Sequence, residues 1–186
     1  NPEVSAERLS AAIRRCVLAG HVLPVACGSS LHNKGVQLLL DAVVDFLPSP
    51  LDVPPVQGHH PKSGDLLTRR AGDMEPTAAL AFKIATDPYV GKLAYVRVYS
   101  GVLKKNTNVL NPRTRKREKL MRILRIHANQ REDVDMLYSG EIGAISGLKE
   151  VTTGDTLCAE QHPVALERIT FPEPVISMAI EPRTQG

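Results

Sequence analysis

Apolar positions between residues 5 and 19 recur at three and four: Leu9, Ala12, Ile13, Cys16 and Val17, with Arg8, Arg14 and Arg15 on the opposite side. That period predicts an amphipathic helix, with Ser5 placed to cap its start and Gly20 to end it. Residues 22–27 form a short apolar run of the kind a buried parallel strand shows, although Pro24 lacks a backbone donor and favours an edge or a strand start. Gly28, Ser29 and Ser30 then make a polar turn. A second helix is predicted from about residue 34 to 47, where Val36, Leu39, Leu40, Val43, Val44 and Leu47 give a wide apolar face and Pro48 stops it. Helix, strand, loop, helix is the rhythm of an α/β sheet, but one strand makes no sheet. The first fifty residues are therefore expected to be the end of a larger domain.

Five prolines fall within residues 48–61, a composition that stiffens a chain and suits a linker, and the polar stretch runs on to about residue 76. The period then changes from helical to alternating. Residues 79–84 and 93–99 read as strands, with Leu80, Phe82 and Ile84 on one face of the first. In the second, Leu93, Tyr95, Arg97 and Tyr99 oppose Ala94, Val96 and Val98. Turn signals at Ser100-Gly101, Asn111-Pro112, Ser139-Gly140, Ser146-Gly147 and Thr153-Gly154 cut the rest into short strands, which predicts a small barrel or sandwich. Leu120, Ile123, Leu124 and His127 have helical spacing, yet the Ile-rich content and the surrounding strands favour a strand there. Residues 174–182 alternate Ile176, Met178 and Ile180 and end without a following partner, so the chain reads as a segment of a longer protein.

Composition adds less than pattern does. The 186 residues are 42% apolar and 23% charged, ordinary for a folded chain, with three Phe, four Tyr and no Trp. No apolar run reaches the roughly 18 residues of a membrane span, and Asn1-Pro2-Glu3 begins nothing like an export signal. Cys16, Cys27 and Cys158 have no paired spacing, which favours reduced thiols in an intracellular compartment, the cytoplasm or an organellar matrix. Charge is more informative. The net charge is +3, but residues 104–125 hold nine basic side chains against Glu118 alone, a local +8. Arg113, Arg115, Lys116 and Arg117 crowd the loop after Asn111-Pro112, with Lys119, Arg122 and Arg125 following. Such a cluster fits a polyphosphate partner such as RNA, or a solvated hairpin edge kept from pairing by its cations. With no aromatic residue inside it, phosphate contact fits better than base stacking.

Candidate chemistry is sparse. No G-x-x-x-x-G-K-[ST] loop occurs to cradle phosphates and bind magnesium. Gly91-Lys92 lacks the upstream glycine, and Asn33-Lys34-Gly35-Val36 has Val where a guanine-reading carboxylate would stand. His59-His60 has no further ligand at metal spacing, so no metal site is expected. His127, Cys16 and Cys158 read as structural, and no G-x-S-x-G nucleophile is present.

Beyond these local readings, a longer pattern is present. The run from Gly28 through Ser29, Ser30, Leu31, His32, Asn33, Lys34, Gly35 and Val36 to Gln37 resembles the end of the GTP-binding domain of elongation factor G, as do Leu40-Asp41-Ala42-Val43 and Leu47-Pro48-Ser49-Pro50. The likeness continues through residues 81–93, 97–103, 127–129, 147–149, 152–158 and 171–177. The resemblance implies a mixed α/β segment: a C-terminal helix-strand-helix piece of a P-loop GTPase domain (residues 1–50), a Pro-rich linker (51–75), an antiparallel β-barrel second domain of the translation-factor type (76–165) and the first strand of a third domain (170–186). It further implies a parent that hydrolyses GTP with magnesium, works on the ribosome to move tRNA and mRNA, and rests its barrel on small-subunit ribosomal RNA. This segment alone, lacking the phosphate loop, is expected to be inactive. Ser29, Ser30 and Leu31 match the family's loop whose backbone N–H faces the guanine carbonyl. A stand-alone RNA-binding barrel, or a related translational GTPase acting in release, recycling or ribosomal protection, is the alternative.

Overall fold

In the computed structural model the described residues are 4–87, 91–128, 130–166 and 178. Helix α1 spans Ala6–Leu18 and α2 spans Val36–Phe46. Ser5 caps α1 through its side chain, which accepts from the Arg8 N–H at 3.3 Å. Gly20, at φ +72°, closes the other end as the left-handed residue of a Schellman motif, with Gly20 N–H on the Val17 carbonyl and His21 N–H on that of Cys16. Arg14 ties the pair together: its guanidinium donates to the carbonyls of Asp45 and Leu47 at the end of α2 and, at 2.6 Å, to the Asp52 carboxylate. Neither helix has a fully buried residue.

The strand expected at residues 22–27 does not form. That segment is exposed, with Leu23 and Val25 each 85% accessible, because the described chain supplies no neighbouring strand to accept its hydrogen bonds. The expected helix-strand-helix piece is thus two helices whose connection holds no strand beyond the isolated Ser29–Lys34 bridge.

The remaining elements are strands: β1 (Val56–His59), β2 (Leu66–Arg69), β3 (Ala78–Asp87), β4 (Gly91–Ser100), β5 (Leu103–Lys104), β6 (Asn108–Asn111), β7 (Lys116–Lys119), β8 (Arg122–His127), β9 (Gln130–Val134), β10 (Met136–Leu137), β11 (Ile142–Ser146), β12 (Asp155–Cys158) and β13 (Ala165–Leu166). Eight pair antiparallel in the order β7-β6-β12-β3-β4-β11-β8-β9. Strand β5, just before β6, pairs with β10, just after β9, and Lys105 N–H donates to the Asp135 carbonyl. These bonds draw the two ends of the sheet together in the manner of a barrel. Its interior holds Ala79, Ala81, Val96, Val98, Leu103, Leu120, Ile123, Leu137, Ile145 and Leu157. The strand reading at 120–127 therefore holds for β8.

Two sequence expectations change. Residues 51–75, expected as linker, contain the β1–β2 hairpin, and β1 also pairs with β13 beside the barrel. The approach is close: a Cβ on Gly58 would lie 2.6 Å from the Ala165 carbonyl oxygen. Leu80, Phe82 and Ile84 do not share a face. A bulge between Ala81 and Lys83 shifts the register against β4, so Ala79 and Ala81 point into the main core before it and Ile84 after it, while Leu80 packs in a second cluster with Cys158, Val164 and Leu166. On β4 the reading holds, with Ala94, Val96 and Val98 inward. The loop residues 88–90, Asn129 and the strand expected at 170–186 lie outside the described residues, Met178 excepted.

Candidate nucleic-acid interface

The basic stretch folds as the β6–β7 hairpin followed by β8. Asn111 builds the turn: its side-chain oxygen accepts from the Arg113 N–H at 3.0 Å and the Thr114 N–H at 3.4 Å, and its carbonyl from Arg115 N–H at 2.8 Å. Arg115 adopts φ +59°, a left-handed conformation that a long side chain seldom takes. Strand β7 is an edge of the sheet, as the hairpin-edge alternative anticipated. Lys116, Arg117 and Lys119 are exposed along it, whereas Glu118 turns inward and accepts from the N–H groups of Lys149 and Glu150, both at 3.0 Å.

The seven cations divide into distinct environments. Arg113 is committed to structure: its Nε and Nη2 grip the Asp155 carboxylate at 2.6 and 2.8 Å, and Nη2 also donates to the Glu150 carbonyl. Asp155 is buried and further accepts from Asn111 Nδ2 and the Thr152 N–H, each at 3.0 Å. Burial alone would raise this carboxyl's pKa, but hydrogen bonds from Arg113, Thr152 and Asn111 outweigh it and hold the value down at about 2. The same carboxylate raises the pKa of Arg113. Arg122 forks onto Asp133 at 2.6 and 2.7 Å within the β8–β9 hairpin, raising its own pKa and lowering that of Asp133. Arg125 pairs with Glu141 at 2.9 Å.

Lys116 and Arg117 make outer pairs with Glu150 and Glu160, and their side chains remain 61% and 65% exposed. Pairs so wet are worth at most about 1 kcal/mol and exchange readily for another anion. Among the described residues, Arg115 and Lys119 have no carboxylate partner. Arg115 lines a cleft of about 500 Å³ together with Pro112, Leu110, Pro163, Glu160 and Lys62. Lys62, on the β1–β2 turn, was not singled out by the sequence, because 50 residues of chain separate it from the cluster it joins. Nor were the acids that neutralise the hairpin, although the surplus of negative charge outside residues 104–125 was their signal.

Elsewhere, Ser29 and Lys34 exchange backbone hydrogen bonds of 2.9 Å in both directions, making residues 29–34 a tight turn with Leu31 at its exposed tip. A Cβ on Gly28 would come 2.8 Å from the Lys34 carbonyl oxygen. Lys92 donates to the Val151 carbonyl at 2.7 Å and so joins strand to loop. His60 Nδ1 accepts from the Ser63 N–H at 3.2 Å within the β1–β2 turn, and His127 ends β8 in solvent. Cys158 is buried, and that burial raises its thiol pKa; Cys16 is half-buried and Cys27 exposed. No described helix is long and apolar enough to cross a membrane.

Comparison with known proteins places this geometry. Residues 76–160 match the profile of elongation factor G domain 2, a span that opens just before β3 and closes just after β12. A crystal structure of a Thermus thermophilus protein superposes with a TM-score of 0.65 at 26% sequence identity, over 92% of this chain. The match takes in 24% of that protein, so the chain spans about a quarter of its length. Residues 76–160 thus match the elongation factor G domain 2 family, and the chain is similar to a segment of an elongation-factor-G-like protein.

Proposed function

We propose that the chain is part of a ribosome-bound GTPase that moves tRNA and mRNA, and that its barrel rests on the phosphate backbone of small-subunit ribosomal RNA. The observation that carries this reading is edge strand β7. It presents Lys116, Arg117 and Lys119 outward beside Arg115, while the one acid on the strand, Glu118, is folded inside. The match of residues 76–160 to elongation factor G domain 2 supports a translation factor that works with the ribosome. Anchoring falls to Arg115 and Lys119, with Lys116 and Arg117 trading their exposed carboxylates for phosphates. Arg113, Arg122 and Arg125 hold the fold beneath them.

GTP and its magnesium ion belong to the parent protein, where the nucleotide supplies the hydrolysable phosphoanhydride. The part of this chain that fits a nucleotide is the turn at residues 29–31. Among the described residues, the N–H groups of Ser30 and Leu31 have no acceptor, which leaves them available to a guanine carbonyl. We place the parent in the cytoplasm or an organellar matrix, where ribosomes are.

Hydroxyl-radical footprinting of small ribosomal subunits with the 186-residue chain tests the reading. One contiguous patch of protected riboses is expected. Unchanged cleavage at saturating chain would contradict it.

A further inference from the structure

Two half-buried arginines, Arg69 and Arg97, lie outside the basic stretch and share an unusual environment. Arg97 lies mid-strand on β4, between Leu80 of β3 and Ile142 of β11. Its guanidinium sits 5.3 Å from the centroid of the Tyr99 ring, and its Nε is buried without a hydrogen-bond partner. Arg69, on β2, donates through Nη1 to the Thr68 carbonyl and through Nη2 to that of His162, yet its Nε is likewise buried and unpartnered. These are the only two orphaned side-chain polar atoms among the described residues, and both arginines line the same cavity. It has a volume of about 160 Å³, roughly ten times what one water needs. Its walls include Pro50, Pro54, Val56 and Tyr99, and none of the residues lining it is acidic.

That arrangement departs from the other half-buried arginines among the described residues, Arg14 and Arg125, which pair with Asp52 and Glu141. Arg113, Arg122 and Arg125 each meet a carboxylate, whereas among the described residues neither Arg69 nor Arg97 does. A partly desolvated guanidinium without an anion is disfavoured, and two converging on one cavity are more so. Stacking on Tyr99 occupies the face of the Arg97 guanidinium and leaves its edge donors for another ligand. We infer that this cavity, between residues 50–56 and the barrel, binds a small oxyanion, a carboxylate or a phosphate group, held by Arg97 and Arg69. The proline and valine walls suit an apolar body behind the charged head.

The test is an NMR titration of the 186-residue chain that observes the arginine Nε–H signals, with benzoate and inorganic phosphate as probes. Saturable shifts of the Arg97 and Arg69 signals are expected with at least one probe. Affinity should fall at least about tenfold in Arg97→Gln and in Arg69→Gln, the loss of one charge-assisted hydrogen bond. Tighter binding of benzoate assigns a carboxylate with an apolar body, and tighter binding of phosphate assigns a phosphate group. The amide spectrum of each variant reports whether it is folded. Absence of any saturable shift in the folded wild-type chain overturns the inference, as does undiminished affinity in both folded variants. Ribosome footprinting is independent of this cavity, so either reading can fail alone.

Discussion

Asp155 and Arg113 show how far a single charged side chain's role depends on its surroundings. The cluster around Arg113 suggested phosphate contact, but a buried carboxylate that accepts from Arg113, Asn111 and the Thr152 N–H has already claimed this guanidinium. Removing the arginine strands a buried charge, so Arg113→Ala should cost about 3 kcal/mol in denaturant unfolding, far more than loss of an exposed cation. The pH dependence follows the same logic. Asp155 has its folded pKa lowered from 3.8 to about 2, so its contribution of about 2 kcal/mol is present above pH 4 and is lost as pH falls towards 2. The stability gap between wild type and Asp155→Asn should narrow across that window. A gap that stays constant from pH 5 to pH 2 would refute the assignment.

Among the elements, β3 is the most instructive. Its alternation places Leu80, Phe82 and Ile84 together only if the strand is regular, and the bulge after Ala81 reverses that parity. Phe82 is the extra residue there, since Ala81 faces Val96 and Lys83 faces Tyr95. Deleting Phe82 should therefore keep Ile84 opposite Ala94 and leave a folded chain with a cooperative melt. Deleting Val96 from β4 reverses inward and outward positions and should abolish that melt. If both deletions unfold the chain equally, the bulge is not the parity switch described. Legibility differed between elements for physical reasons. Strands with one apolar face, such as β4, could be read from period two. The β1–β2 hairpin could not, because Gly58 and the surrounding prolines read as turn while its partner, β13, lies about a hundred residues away. The run at residues 22–27 looked like a strand because apolar content is local, but strand formation needs neighbours the described chain does not supply.

For the molecule as a whole, burial is concentrated in the barrel, while α1 and α2 have no fully buried residue and leave Leu38, Val44 and Leu40 in solvent. Hydrogen exchange of the isolated chain should accordingly be faster in both helices than in β4 and β11 by several powers of ten. Equal protection would contradict that division. The candidate interface was legible as a stretch of charge, but not as a set of individual roles. Sequence proximity shows which cations are neighbours along the chain, whereas the acids that claim Arg113, Lys116 and Arg117 come from residues 150–160. We propose β7 and its turn, rather than the whole basic stretch, as the phosphate anchor. Co-sedimentation with small ribosomal subunits over a salt series tests it most directly, comparing wild type with Arg115→Ala/Lys119→Ala and with Arg122→Ala. The log-log salt slope should fall by about one unit per contact removed in the double variant and stay unchanged in Arg122→Ala. Equal slopes for wild type and the double variant would contradict it.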